Sequence, residues 1–276
     1  MNHIKLSGLL AGLCAVCVGI AHAQPSTQAL PSAQPLARVI LVGDSTMAPR
    51  SGYGDALCKL LKPGVECLNL AKGGRSSGSY RAEGSWAVVM AHLQQGRSHA
   101  TQPPVVPTWV LLQFGHNDQP GKPGRSTDLA TEYPVNLAAY VREVRQWGAM
   151  PVLVTPLTRR TFKDGRLENN LLPWSLSMQQ VAQENTVPLI DLNAMSYAAV
   201  QAMGQEVADT LAMEPPPSKA LAIVASAPSV GTVEVQGAAK SAFDRTHVGV
   251  KGAELFARMV ASQGLKLDTL APYFSP

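Results

Sequence analysis

Short apolar runs rich in β-branched residues recur along the chain at 38–42, 65–70, 109–114, 151–155 and 187–191, and each gives way to a turn-forming or polar stretch. Runs of this length without polar alternation are the mark of strands buried on both faces of a parallel sheet. Between them the apolar positions are spaced three and four apart, at 53–61, 86–95, 129–147 and 174–184, which predicts helices packed by one face. Strand and helix therefore alternate, and the expected architecture is a doubly wound α/β fold with about five parallel strands. Open sheets of this kind bind ligands beyond the carboxyl ends of their strands, so the residues just after each run are the first place to look for chemistry.

The rhythm breaks at 203–243, where three consecutive prolines are followed by Ala, Ser, Val and Gly without a period; the expectation is an irregular excursion. Helical spacing resumes at 252–262. The first 23 residues read differently, as a basic start, an apolar run and Ala21-His22-Ala23, the pattern of a secretory signal cleaved after Ala23. Its apolar run of about 15 residues is shorter than the roughly 20 that a bilayer-spanning helix requires, so no stable membrane anchor is expected. Residues 24–37, rich in Gln, Pro, Ser and Ala, read as a loose leader, and 38–276 as one domain. The expected location is the periplasm or the medium.

Composition sharpens this only a little. With 46% hydrophobic and 15% charged residues the chain has the means for a packed core, and disordered, collagenous and coiled-coil classes drop out. The net charge of +4 comes without basic runs or interleaved aromatics, which leaves a nucleic-acid partner without support. Four cysteines are present. Cys14 and Cys17 fall in the export segment, while Cys58 and Cys67 stay as an even pair that an oxidising compartment would bridge or leave as two buried thiols.

Four polar clusters stand where the fold would place a site. Gly43-Asp44-Ser45-Thr46 follows the first run, Gly73-Gly74-Arg75-Ser76-Ser77 the second and Gly115-His116-Asn117-Asp118 the third; Asp244-Arg245-Thr246-His247 precedes the last helix. A serine hydroxyl needs an adjacent base to become a nucleophile, and Ser45 with His247 supplies that pair. Asp244, three residues before His247, sits on the same side of a turn and could orient the ring. Acyl transfer also needs donors for the oxyanion, and Asn117 with the backbone N–H groups of Ser45 and Gly74 offers three. His116 and Asp118 invite a metal reading, but with no third ligand in register no metal or cofactor is expected.

This combination resembles the SGNH or GDSL hydrolase superfamily, in which Ser, Gly, Asn and His stand in separate blocks, and the blocks around Ser45, Gly74, Asn117, Thr155-Pro156 with Arg159-Arg160, and Asp244-x-Thr246-His247 look like its rhamnogalacturonan acetylesterase branch. The resemblance implies Ser45 as nucleophile, Asp244 and His247 completing the triad, and Gly74 and Asn117 as oxyanion donors. It also implies a flavodoxin-like three-layer α/β/α fold and an acetylated polysaccharide as substrate. Arg75, Arg159 and Arg160, near strand ends, are candidates for gripping a uronate carboxylate through paired hydrogen bonds.

Two other readings compete. Gly74-Arg75-Ser76-Ser77-Gly78 fits the G-x-S-x-G nucleophile elbow of α/β-hydrolases, with Ser76 as nucleophile and Asp191 or Asp244 and His247 following, although the residues after Ser76 show no helical pattern. A non-catalytic carbohydrate-binding protein would use the same cleft. Its usual aromatic platform is missing from a chain that is 5% aromatic, with Trp86, Trp109 and Trp147 at core-like positions.

Overall fold

The computed structural model describes residues 35–95, 106–215 and 243–275. The export segment, nearly all of the leader and residues 216–242 of the excursion lie outside this set. Five strands form one parallel sheet: β1 (Ala37–Gly43), β2 (Val65–Asn69), β3 (Thr108–Gln113), β4 (Met150–Val154) and β7 (Leu189–Ile190), in the order β2-β1-β3-β4-β7. A separate two-residue hairpin, β5 (Phe162–Lys163) with β6 (Arg166–Leu167), follows β4. Helices α1 (Gly54–Cys58), α2 (Ser79–Ala82), α3 (Ser85–Gln95), α4 (Tyr133–Gln146), α5 (Leu172–Glu184), α6 (Leu192–Asp209) and α7 (Val250–Gly264) complete the chain order. Among the described residues no helix is long and apolar enough to cross a membrane.

The two-residue period of a strand divides the apolar runs between two cores. Val39 and Leu41 of β1, Trp109 and Leu111 of β3, and Val152 and Val154 of β4 face one side, where α1, α6 and α7 contribute Leu57, Val200, Phe256 and Val260. Ile40, Val42, Val110, Leu112 and Leu153 face the other, against Val89 of α3, Leu137 and Val144 of α4, and Met178 of α5. The result is the expected three-layer α/β/α sandwich. Burial on both sides also explains why these strands show no polar alternation.

The strand order positions the site. The chain passes to one side of β1 for β2 and to the other for β3, so the crevice between the carboxyl ends of β1 and β3 is the topological switch point. Gly43 and Gln113 are register partners there, and a Cβ on Gly43 would lie 2.6 Å from the Gln113 carbonyl oxygen, so only glycine allows the two strands to close up at the point where Ser45 begins its turn.

Three expectations need correction. Ala37 is not leader but the first, fully buried residue of β1. The excursion does not begin at Met203, because α6 runs from Leu192 to Asp209, capped by the Asp191 carboxylate accepting from the Ala194 N–H and kinked at Gly204 (φ +70°). This helix escaped notice because part of its buried face is polar: Asn193 and Ser196 point inward, where Asn193 donates to the Pro156 carbonyl and Ser196 accepts from the Thr158 N–H. Finally, residues after Ser76 do form a short helix, α2. Cys58 and Cys67 are joined in a disulfide that ties the end of α1 to β2.

Candidate active site

Beyond β1 the chain turns sharply, with the Asp44 carbonyl accepting from the N–H groups of Met47 and Ala48. Asp44 is wholly buried and builds this turn from within. Its Oδ1 accepts from the Thr46 N–H at 2.9 Å and hydroxyl at 2.8 Å. The Thr46 hydroxyl in turn accepts from Gln113 Nε2 at 2.6 Å, and Gln113 Oε1 accepts from the Tyr53 hydroxyl at 2.6 Å. Asp44 Oδ2 lies 3.3 Å from His116 Nδ1, off the alignment of a good hydrogen bond. Burial alone would raise the Asp44 carboxyl, but the His116 ring and the two Thr46 donors outweigh it and hold it below its ordinary range. Burial pushes the His116 ring down, against the pull of Asp44.

On this turn Ser45 Oγ stands 2.7 Å from His247 Nε2, and His247 Nδ1 stands 2.9 Å from Asp244 Oδ2. An ionised carboxylate only accepts, so Nδ1 carries the ring proton and Nε2 is left to accept from the serine hydroxyl. Residues 202 apart in sequence thus meet in one line of proton donors and acceptors. Ser45 and His247 are 5% and 2% exposed, so the pair is almost wholly shielded from solvent. Asp244 also accepts at Oδ1 from the backbone N–H groups of Thr246 (2.7 Å) and His247 (2.6 Å). Although burial raises its carboxyl, these bonds and the His247 ring bring it down to about 2.

The loop carrying Asp244 and His247 is held from below by Arg160. This residue is 0% exposed, and its Nη2 donates to the carbonyls of His247 at 2.7 Å and Asp244 at 3.0 Å, with the Arg245 carbonyl taking its backbone N–H at 2.8 Å. Burial lowers the guanidinium to about 10, with Asp244 and Asp209 pulling the other way, so it stays charged at neutral pH. The expectation that Arg160 grips substrate is therefore corrected: it is a buried clamp on the loop that carries Asp244 and His247. Ser51 links the two halves of the line, donating from Oγ to the Ser45 carbonyl at 2.7 Å while its own carbonyl accepts from the Val248 N–H at 3.0 Å.

The other two expected residues arrive from β2 and β3. Gly74 takes φ +78°, a left-handed conformation that favours glycine, and a Cβ on neighbouring Gly73 would lie 3.7 Å from the Ser45 Cβ, which places the glycine turn against the serine. Asn117, 3% exposed, spends one Nδ2 proton on the Arg75 carbonyl at 3.0 Å and keeps the other. Asp118 fastens this pair of loops together, accepting from the Ser77 N–H (3.0 Å), the Ser77 hydroxyl and the Thr127 hydroxyl (2.9 Å). Desolvation raises its carboxyl to about 6 in spite of those donors. Arg125, which sequence reasoning passed over, is 6% exposed with Nη1 3.4 Å from Asn117 Oδ1.

The remaining candidates stand as follows. Arg75 is engaged with Glu83 at 2.7 Å and with the Gly73 carbonyl at 2.7 Å. Arg159 reaches Gln119 Oε1 at 2.7 Å and Asn170 Oδ1 at 2.9 Å, and both arginines keep part of their surface in solvent. Ser76 is fully buried and its Oγ accepts from the Ser79 N–H at 3.1 Å, so this hydroxyl is engaged at the first residue of α2.

A family model described as GDSL-like Lipase/Acylhydrolase family matches residues 41–214. The rhamnogalacturonan acetylesterase RhgT of Bacillus subtilis (strain 168) is 36% identical over 177 residues, 61% of this chain and 70% of that protein. The probable rhamnogalacturonan acetylesterase YesY of the same organism is 30% identical over 235 residues, 83% of this chain and 92% of that protein. Among solved structures, the acetylxylan esterase Axe2 from Geobacillus stearothermophilus superposes with TM-score 0.56 at 18% identity, covering 82% of this chain and 93% of its own. At that identity the likeness speaks for the fold.

Proposed function

Because the chain belongs to the GDSL-like lipase/acylhydrolase family and is a carboxylic ester hydrolase, we propose that it is an exported serine esterase that removes acetyl groups from a polysaccharide, with pectic rhamnogalacturonan as the polymer. The observation that carries the chemistry is the Ser45–His247–Asp244 line at 2.7 and 2.9 Å.

In this reading Ser45 Oγ attacks the acetyl carbonyl carbon while its proton passes to His247 Nε2. The carbonyl electron pair moves onto oxygen, where the N–H groups of Ser45 and Gly74 and the uncommitted Nδ2 proton of Asn117 receive it. Collapse expels the sugar oxygen, which takes the proton from His247. Water then attacks the acetyl-serine with His247 again as base, acetate leaves, and Ser45 recovers its proton. Asp244 keeps the ring tautomer and stabilises the imidazolium formed twice per cycle.

The polymer assignment leans on the names of RhgT and YesY and on the partly exposed Arg75 and Arg159, whose guanidinium groups suit a uronate. Acetate released from acetylated rhamnogalacturonan and from acetylated xylan is the deciding measurement. The pectic polymer is expected to be the faster substrate, with a KM that rises with salt. Xylan as the faster substrate, with no salt response on either, overturns the pectic assignment. Labelling by a serine-directed organophosphate is expected once, at Ser45, and not at all in Ser45→Ala.

A further inference from the structure

We infer that Arg125 is a positioning residue for ester hydrolysis: it fixes the amide of Asn117 so that one Nδ2 proton faces the developing oxyanion. The inference rests on the reading of Asn117 as an oxyanion donor.

An asparagine amide is useful as a donor only in one of its two flipped orientations. Two contacts select that orientation here. The Arg75 carbonyl can only accept, so it claims an N–H of Nδ2 at 3.0 Å. The Arg125 guanidinium can only donate, so it faces Oδ1, and at 3.4 Å the attraction is electrostatic more than a short hydrogen bond. Flipping the amide would set a carbonyl against a carbonyl and an amide N–H against a cation. The remaining Nδ2 proton is thereby left for an acceptor other than these two partners.

The loop that delivers Arg125 is built for the purpose. Residues 118–127 fold back on themselves, with the Thr127 N–H donating to the Asp118 carbonyl at 2.9 Å and the Ser126 hydroxyl to the Gln119 carbonyl at 2.8 Å. Gly121 and Gly124 take left-handed φ of +81° and +68° within it. The return brings Arg125 into the interior, 6% exposed, where its Nη1 lies 3.7 Å from the place a Cβ would occupy on Gly74. One guanidinium thus touches the neighbourhood of both strand-end donors. A cation buried there also favours negative charge on the reacting oxygen, and that benefit grows as the charge develops.

The test is a double-mutant cycle in kcat on p-nitrophenyl acetate, a neutral ester that offers no carboxylate to an arginine. Arg125→Met is expected to lower kcat about 10- to 100-fold with KM changed less than threefold, since a small misplacement of a catalytic group has costs of that order. In the Asn117→Ala background the same substitution is expected to cost less than about threefold, because the group it positions is already gone. Equal losses in both backgrounds overturn the inference, as does a loss confined to KM on acidic polymer. Arg125→Lys, which keeps a buried cation, covers the case in which Arg125→Met does not fold; it is expected to lose part of the rate and to show the same coupling, and additivity there also overturns the inference. If Asn117→Ala alone leaves kcat intact, it is the oxyanion reading that fails. If Asn117→Ala lowers kcat and Arg125 acts independently, only the positioning role fails.

Discussion

The two halves of the site are held by opposite strategies. On the side proposed to supply the base, Asp244 and His247 lie on one short loop far along the chain from Ser45, and what keeps that loop in place is a buried cation, Arg160, gripping its carbonyl oxygens. On the side proposed to hold the oxyanion, Gly74 and Asn117 follow β2 and β3, the strands on either side of β1, and a buried carboxyl, Asp118, ties their loops together by accepting from Ser77 and Thr127. A loop without strand pairing exposes its carbonyls and needs donors, so it is met by a guanidinium. Two turns that aim N–H groups at a ligand have donors to spare, so they are met by a carboxylate. The charge of each brace follows from which backbone groups the local geometry leaves over.

The sharpest break of this comparison removes the base. His247→Ala is expected to lower kcat by about 10⁶-fold, as loss of a triad base does, while leaving KM nearly unchanged. Asn117→Ala, on the other half, is expected to cost about 10²- to 10³-fold. Single-turnover acetate release for both variants measures the ratio; similar losses would mean the two halves do not divide the work as described.

Next in size comes the base-side clamp. Arg160→Met leaves buried carbonyl oxygens of Asp244 and His247 without their donor, and each such orphan costs about 1–3 kcal/mol. The expected outcome is a melting temperature lower by several degrees and a reduced kcat on every ester, neutral or acidic. A loss specific to KM on uronate-bearing polymer would return Arg160 to the role of substrate contact.

The oxyanion-side brace is expected to show itself in pH. Asp118 has a folded pKa of about 6 against an ordinary 3.8, so folding favours its protonated form. Its contribution is therefore fully present below about pH 4 and is lost as pH rises through about 6. Asp244 runs the other way: with a folded value of about 2, its contribution is present above 3.8 and is lost as pH falls towards 2. Melting curves of the protein and of Asp118→Asn between pH 4 and 7 are expected to differ by a slope that the variant lacks. Parallel curves would show that the three donors around Asp118 hold it ionised throughout.

How much of this was legible in the sequence depends on what kind of signal each feature leaves. The central strands β1, β3 and β4 announce themselves because burial on two faces favours apolar residues, and Ser45 and Asn117 follow β1 and β3 closely, while the Gly73-Gly74 turn comes after the half-buried edge strand β2. β7 shrank to Leu189–Ile190 because an edge position demands less. Helix α6 was hidden by its inward-facing Asn193 and Ser196. Adjacent residues Arg159 and Arg160 look identical in sequence, yet one meets Gln119 and Asn170 at the surface and the other lies under the triad; only the path of the chain distinguishes them. Arg125 left the faintest trace, since its importance comes from a loop folding back, marked by Gly121 and Gly124 but not by any periodic pattern.

The smallest expected effect tests whether the oxyanion half depends on the frame behind it. The Cys58–Cys67 disulfide joins α1 to β2, the strand that leads to Gly74, and closes a loop of nine residues. In the chain-entropy account so short a loop contributes only about 2.5 kcal/mol. For a domain of this size that corresponds to roughly 5–10 °C in melting temperature. Gly74 is separated from Cys67 by the rest of β2 and is pinned independently, through Ser77, by Asp118. Cys58→Ser/Cys67→Ser is therefore expected to melt earlier while keeping kcat on p-nitrophenyl acetate within about twofold, because stability effects at sites that share no partner with the reacting groups act separately. A variant that melts normally would mean the bridge closes too small a loop to matter. One that loses kcat without KM, as Asn117→Ala is expected to, would show that the glycine turn takes its position from the disulfide and not from Asp118.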